Sequence, residues 1–243
     1  MGLVKWPMWI AALLGAMLVL AGCGDDRFPD YSYKMTVHTG GQEFSSVRHV
    51  EVTEGSIVTR RVTGEAVIID HPNGRTYFAL LSRPENPDYA KFAAGMALRD
   101  HVGKAAAKSE MDKALDEYDD NRGYQDSFGD AAEFLQAMVK VEGAKDLPRT
   151  IPATRNRPPM QAWPMFVTFG NPKDPKTVRK VTPESIGVER ITIAITDEDV
   201  TEGIEERLPS YGSGSGFDQW YKSLAFRDPR RLTKDAFLTG DER

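Results

Sequence analysis

Cysteine is almost missing from this chain: among 243 residues there is one, Cys23. A lone thiol excludes an internal disulfide framework and any Cys-rich zinc or iron–sulfur site. Histidine is scarce too, at four residues, which leaves little room for a His-rich metal centre. There is no basic excess either. The 31 Lys and Arg stand against 36 Asp and Glu, for a net charge of −5. A protein that tracks nucleic-acid phosphates is basic overall, so no nucleic-acid partner is expected. The composition also lacks the marks of disorder, with 40% hydrophobic, 28% charged and 9% aromatic residues, as in ordinary globular chains.

The clearest signal lies at the start. Residues 1–22 read as a bacterial secretory signal peptide. Lys5 is the one basic side chain of a short leading region, and an apolar run covers residues 6–20. The run closes on Leu20-Ala21-Gly22-Cys23, a lipobox. Small residues suit a peptidase that cuts between Gly22 and Cys23, and the Cys23 thiol then accepts diacylglycerol. The competing reading is a membrane-spanning anchor. That needs about 20 apolar residues, and this run is shorter and ends at the only cysteine. Two or more acyl chains, such as palmitate, hold a protein stably at a bilayer, whereas one does so only marginally. Lipidation consumes the thiol and leaves an exported body indifferent to an oxidising compartment. Loss of Lys5 with the signal takes the net charge from −5 to −6. The lipidated tether, residues 23–30, reaches at most about 28 Å. The expected location is the periplasmic face of the cell envelope, held to the membrane through the N-terminal lipid. Gly24, rather than Asp, after the cysteine favours the outer over the inner membrane, and Asp25 and Asp26 blunt that preference.

Residues 31–211 read as a single α+β domain, an antiparallel sheet with two or three amphipathic helices packed on it. Tyr31, Tyr33, Met35 and Val37 alternate with polar residues, as in a half-buried strand. Gly40-Gly41 turns the chain, and residues 47–52 resume the alternation. With a two-residue loop His38 faces Glu43 and His49 faces Ser32. The two imidazoles then lie at opposite ends of the hairpin, roughly 20 Å apart, and cannot share a metal. A second hairpin centres on Asn73-Gly74, read as a type I′ turn. That register sets Val67 against Leu80, Ile68 against Ala79 and Ile69 against Phe78. Both faces of this hairpin are apolar, which predicts a central position.

Asn86-Pro87 reads as a helix cap followed by proline in the first turn. Tyr89, Phe92, Ala93, Met96 and Ala97 then form one helical face. Ser109 and Asp112 resemble a capping box ahead of Met111, Ala114, Leu115 and Tyr118. Asp130 opens a further helix with Phe134, Leu135 and Met138 inward. The stretch 147–164 holds Pro148, Pro152, Pro158, Pro159 and Pro164, a density that predicts a rigid surface crossover without regular structure. Strands return at residues 165–169 and 190–195, with a short helix opened by Thr182-Pro183-Glu184. Residues 212–243 read as a hinged tail: a Gly-Ser joint at 212–216, then an amphipathic helix with Phe217, Trp220, Tyr221 and Leu224 on one face. These four are the candidate contacts for an envelope protein partner, with the chain's own body as the alternative floor.

Several stretches carry a family resemblance. They are Gly64-Glu65-Ala66-Val67, Gly74-Arg75-Thr76-Tyr77-Phe78-Ala79-Leu80-Leu81, residues 163–169, Asp174-Pro175-Lys176-Thr177-Val178 and residues 201–209. Together they resemble a group of uncharacterised lipoproteins of Gram-negative bacteria. The resemblance spans most of the mature chain and supplies no catalytic residues.

Motifs for chemistry are missing. Residues 212–216 have Gly214 where a nucleophile elbow needs serine. No H-E-x-x-H occurs. His71 reads as a solvated flank of the Asn-Gly turn and His101 as a packed histidine at a helix edge. Asp197-Glu198-Asp199 with Glu202, Glu205 and Glu206 lacks calcium-loop spacing. It reads as a solvated acidic face in which Asp or Thr caps a short helix. Arg149, Arg155 and Arg157 read as a solvated basic strip. No catalytic residue, metal ligand or cofactor is assigned. The expected function is therefore a non-enzymatic binding or scaffolding role in the envelope. A periplasmic hydrolase with a dispersed site is the alternative.

Overall fold

The computed structural model describes residues 27–55, 57–102, 126–153, 158–209, 217–225, 228 and 230–240. The lipobox, the helix expected around residues 109–118, Arg155, Arg157 and the joint at 212–216 lie outside the described residues. What is described is a mostly-β α+β fold with every strand pairing antiparallel.

Strand β1 (Tyr31–Thr39) pairs with β2 (Gln42–Glu54), which pairs with β3 (Val58–Glu65). Alternation works as expected in β1: Tyr33, Met35 and Val37 are buried, while Ser32, Lys34 and Thr36 are only half-buried. The register matches the sequence expectation, with His38 opposite Glu43 and Ser32 opposite His49. On its other edge β1 pairs with the long strand β11 (Val188–Thr196), flanked by β6 (Lys145–Asp146). Strand β12 (Leu238–Thr239) adds to β3 and completes six strands in the order β12-β3-β2-β1-β11-β6.

At Gly64 β3 bends away from β2, while Gly64 and Glu65 stay paired with β12. Gly64 has φ +138°, and a Cβ there would sit 3.1 Å from both the Cα of Arg48 and the carbonyl oxygen of Val47. Only glycine allows this bend at that approach. The chain continues into β4 (Val67–Asp70) and β5 (Thr76–Ala79), which join β9 (Phe166–Phe169) and β10 (Val178–Val181) in a second sheet, β10-β9-β5-β4.

The β4–β5 register is one residue away from the type I′ expectation. Val67 pairs with Ala79, Ile68 with Phe78 and Ile69 with Tyr77. Gly74 alone takes positive φ, +79°; Asn73 does not. Gly74 N–H donates to the His71 carbonyl at 2.9 Å, and His71 N–H donates to the Arg75 carbonyl at 3.0 Å. The loop is thus Pro72-Asn73-Gly74, a three-residue turn with glycine in the bulge position. Proline locks φ near −65° and suits the first central place of a type I turn, which pulls the turn one residue forward. Asn73 stabilises it by accepting from Arg75 N–H at 3.0 Å and donating to Tyr77 Oη at 2.9 Å. β4 lies at the sheet's edge rather than at its centre.

Both faces of this hairpin are nevertheless covered, as its composition requires. Val67, Ile69, Tyr77 and Ala79 join Tyr33, Met35, Val50 and Ile193 of the large sheet in the main core. Phe78 and Leu80 face the other way into a second core. Helix α1 (Tyr89–Leu98) and helix α2 (Asp126–Met138) close the main core. Tyr89, Ala93, Met96 and Ala97 of the expected α1 stripe are buried, and only Phe92 departs from it. Ala90, Ala94 and Leu98 are buried, whereas Phe92 is 44% exposed beneath the Arg60 guanidinium. Small alanines let the helix lie close to the sheet, and the broad phenyl ring is turned to the rim. Asn86 does not cap α1. It bridges to Arg83, and the helix starts after Asp88. Helix α2 buries Phe134, Leu135 and Met138 as expected.

The proline-rich crossover retains structure. Thr150–Ile151 (β7) and Met160–Gln161 (β8) pair, and Leu147, Ile151, Ala162 and Trp163 are buried. The Trp163 indole N–H donates to the Leu147 carbonyl at 2.9 Å. Prolines at the flanks spare the few N–H groups that the short ladder needs. Arg149 pairs with Glu184 and lies over the Trp163 ring. Thr182 caps the short helix Pro183–Ile186, receiving Ser185 N–H, as its sequence implies.

Helix α3 (Ile204–Arg207) is capped from afar. Neither Asp nor Thr of the acidic stretch does it. The Glu65 carboxylate accepts from Gly203 N–H and Ile204 N–H, each at 2.9 Å. Helix α4 (Phe217–Ser223) lies on the second core, and the chain then returns so that Ala66 N–H donates to the Phe237 carbonyl at 2.8 Å.

Candidate functional site

The outer face of the large sheet carries the most chemically suggestive cluster. Alternation turns Thr36 and His38 of β1 away from the core, and Thr192 of β11 is the cross-strand neighbour of Thr36. His38 Nδ1 lies 3.2 Å from Glu43 Oε1, and its Nε2 lies 3.2 Å from Thr192 Oγ1. In a neutral ring Nδ1–H donates to the carboxylate and Nε2 accepts the threonine hydroxyl proton. A hydroxyl–imidazole–carboxylate chain of this kind can activate an oxygen nucleophile. It borders an open cleft of about 530 Å³, with His101, Asp146 and Arg190 on the rim.

The exposures run against efficient catalysis. Thr192 is 7% exposed, so its oxygen is hard for an acyl carbon to approach. The Glu43 side chain is 69% exposed, so water screens the charge that would orient the ring. The cleft charges nearly balance: Arg190 and Lys145 stand against Asp146 and Glu43. This arrangement suits holding a small polar ligand better than accumulating charge at a reacting atom.

No family model matches the chain, and neither a curated protein nor a solved structure matches it.

The remaining expectations fall as follows. His49 bonds to Ser32 Oγ at 3.1 Å and is apart from the cleft. His71 is held over Tyr77, edge to face at 5.7 Å. His101 is exposed at the cleft rim rather than packed. Among the described residues no cluster of three or more His, Cys, Asp or Glu could hold a metal. No described helix is long and apolar enough to cross a membrane. Phe217, Trp220 and Leu224 are buried in the second core with Phe78, Val167 and Phe237, and Tyr221 is half-buried under the Arg231 guanidinium. The apolar face considered for a partner is thus occupied by the chain's own body.

Sequence reading missed Thr192, which only the β1–β11 pairing brings to His38. It also missed Arg48. This guanidinium is fully buried in the core, opposite Tyr33. Its Nε donates to the Glu65 carbonyl at 3.3 Å and its Nη1 faces Tyr33 Oη at 3.5 Å, while Nη2 has no partner among the described residues. Burial pushes the Tyr33 and Tyr89 hydroxyls well above their ordinary range, and the nearby Arg48 charge offsets this only in part. Among the described residues the side chains of Tyr33, Arg48 and Tyr89 are fully buried.

Proposed function

We propose that this is a lipid-anchored protein of the bacterial cell envelope that works by binding or scaffolding rather than catalysis. The observation that carries the reading is Leu20-Ala21-Gly22-Cys23, which places the only cysteine of the chain at a lipoprotein processing site. Among the described residues Phe28 is already in the core and β1 opens at Tyr31, eight positions after Cys23 in sequence. The membrane partner is the bilayer reached by the Cys23 lipid, outer rather than inner, with a further envelope component as the ligand. The same reading takes two or three amphipathic helices as packed on the sheet, supported by the buried faces of α1 and α2. Mass spectrometry of the mature N-terminal peptide tests it. Acyl mass on Cys23 is expected, and an unmodified Cys23 or a different mature start overturns it.

The Glu43–His38–Thr192 chain supports the second reading, a periplasmic hydrolase. Its test is turnover of an activated ester by wild type and by Thr192→Val. Turnover abolished by that substitution raises the hydrolase above the binding protein.

A further inference from the structure

A second cleft, of about 650 Å³, opens at the end of the small sheet. Arg75, Lys173, Arg179 and Arg207 line it, and Glu206 is the only carboxylate in the lining. These cations come from four different elements: the end of the β4–β5 turn, the loop after β9, strand β10 and helix α3. Their backbones are pinned. Arg75 N–H donates to Asn73 Oδ1, and Lys173 N–H donates to Asn171 Oδ1, both at 3.0 Å. Arg179 is held in register opposite Thr168. Arg207 is paired with Asp70 at 2.6 Å. Arg75, Lys173 and Arg179 have no ion pair among the described residues. Even with Asp70 counted, positive charge exceeds negative by two around this cleft. The whole chain, by contrast, carries −5.

A fold that gathers unpaired cations at one concave place in an acidic protein focuses a positive potential there. We propose that this cleft binds a polyanionic ligand bearing phosphate groups. Guanidinium forks match phosphate oxygens two at a time, and three of the four cations are arginine. Cations spread over four elements call for more than one negative charge on the ligand. Phe169 adds an apolar wall for the part that carries the phosphates.

The cleft also has a direction. Strand β1 leaves the tether at Tyr31 and runs about 26 Å to its far end. There Gly40 abuts Pro72, since a Cβ on Gly40 would stand 3.3 Å from the proline ring. Arg75 ends the same turn. The cleft therefore lies at the end of β1 opposite Tyr31, and a lipid anchor at Cys23 would turn it away from the bilayer. The site stands whether or not Cys23 is lipidated, and only this orientation rests on the anchored reading.

The test uses the mature protein in a neutral detergent and inorganic tripolyphosphate as the probe, read by titration calorimetry. Binding that weakens as salt rises is expected, with a loss of about tenfold or more in an Arg75→Glu, Arg179→Glu double variant of unchanged thermal midpoint. If that variant does not fold, Arg75→Gln with Arg179→Gln serves, with a smaller loss in the same direction. No binding up to about 1 mM probe, or equal binding by the variants, overturns the proposal. A second arm finds the source of the phosphate. Protein anchored in phosphatidylcholine vesicles is mixed with separate phosphatidylglycerol vesicles. Cross-linking of the two populations assigns the ligand to a facing lipid headgroup. Tripolyphosphate binding without cross-linking assigns it to a soluble phosphate ester. Failure of the protein to float with the first vesicles counts against the anchor and leaves the cleft result intact.

Discussion

Replacing Arg48 by methionine should make the protein more stable. The guanidinium is fully buried, and no carboxylate pairs with it among the described residues. Taking an ion out of water costs several kcal/mol even after relaxation. Its return is small: one bond to the Glu65 carbonyl at 3.3 Å, one long contact to the Tyr33 hydroxyl, one to the Met35 sulfur, and a cation–π contact at the outer limit of range, 5.8 Å from the Tyr33 ring centroid. Removal strands nothing. The Glu65 carbonyl still accepts from Ser46 Oγ at 3.0 Å, and Tyr33 Oη still donates to the Ala90 carbonyl at 2.7 Å. The unpartnered Nη2 disappears with the charge. Methionine fills most of the space of the arginine stem, so no large cavity opens. A gain of about 1–3 kcal/mol is expected, by analogy with buried ions replaced by apolar side chains. For a body of this size that raises the thermal midpoint by roughly 3–10 °C. Calorimetric scans of wild type, Arg48→Met and Arg48→Ala measure it, with alanine below methionine because it leaves a void. A midpoint for Arg48→Met below that of wild type refutes the reasoning, since the guanidinium must then have a compensating partner.

Four further outcomes follow from the same structure. Gly74→Val should cost about 1–2 kcal/mol from backbone strain alone, because nothing lies within 4 Å of a Cβ there. Gly64→Ala should cost more, since its Cβ meets fixed backbone at 3.1 Å, and equal losses in chemical denaturation would contradict that ordering. Burial pushes the Glu65 carboxyl above its ordinary 4.5, outweighing the N–H bonds from Ile204 and Gly203. Its contribution to stability is therefore full below that ordinary value and lost as pH rises through the raised folded one. Glu65→Gln should gain on wild type as pH climbs from about 4 to about 8, and parallel pH curves would sink the idea. Truncation after Tyr211 should unfold the body or sharply lower its midpoint. It removes β12 together with Phe237, a buried side chain of a kind worth about 3–5 kcal/mol when deleted. An unchanged midpoint would detach the tail from the core.

Local rules carried well wherever one short segment decides the outcome. The loop at Gly40-Gly41 set the β1–β2 register, and with it the His38–Glu43 and Ser32–His49 pairs. Thr182-Pro183 and the stripe of α2 behaved as their neighbours dictate. The β4–β5 register slipped because two turn rules competed, and Pro72 outranked Asn73. Other misses share one cause, contact across a long sequence separation. Glu65 caps a helix 138 residues away, and Thr192 reaches His38 over 154. No local pattern encodes such a meeting. Phe92 illustrates a third case, since helical periodicity names a face but not its width: the buried face extends past the expected stripe to Ala90, Ala94 and Leu98, and Phe92 is left at its rim.

One long-range contact could nonetheless be argued from composition. The hairpin around Gly74 is apolar on both faces, so its second face needs a cover. The tail offers Phe217, Trp220 and Leu224 on one side of a helix, so it needs a floor. Two apolar faces without partners in one chain cover each other, because leaving both in water costs about 25 cal/mol for each Å². The structure joins them, with Phe78 and Leu80 against the tail stripe and Phe237. The functional consequence is subtractive. With its aromatic stripe buried, the body offers few large apolar side chains to a partner. Among the described residues only Ile57 and Phe92 are both large and exposed. Among the described residues the concave surface is largely polar and charged, as in the cleft beside His38 and in the cationic cleft lined by Arg75, Lys173, Arg179 and Arg207.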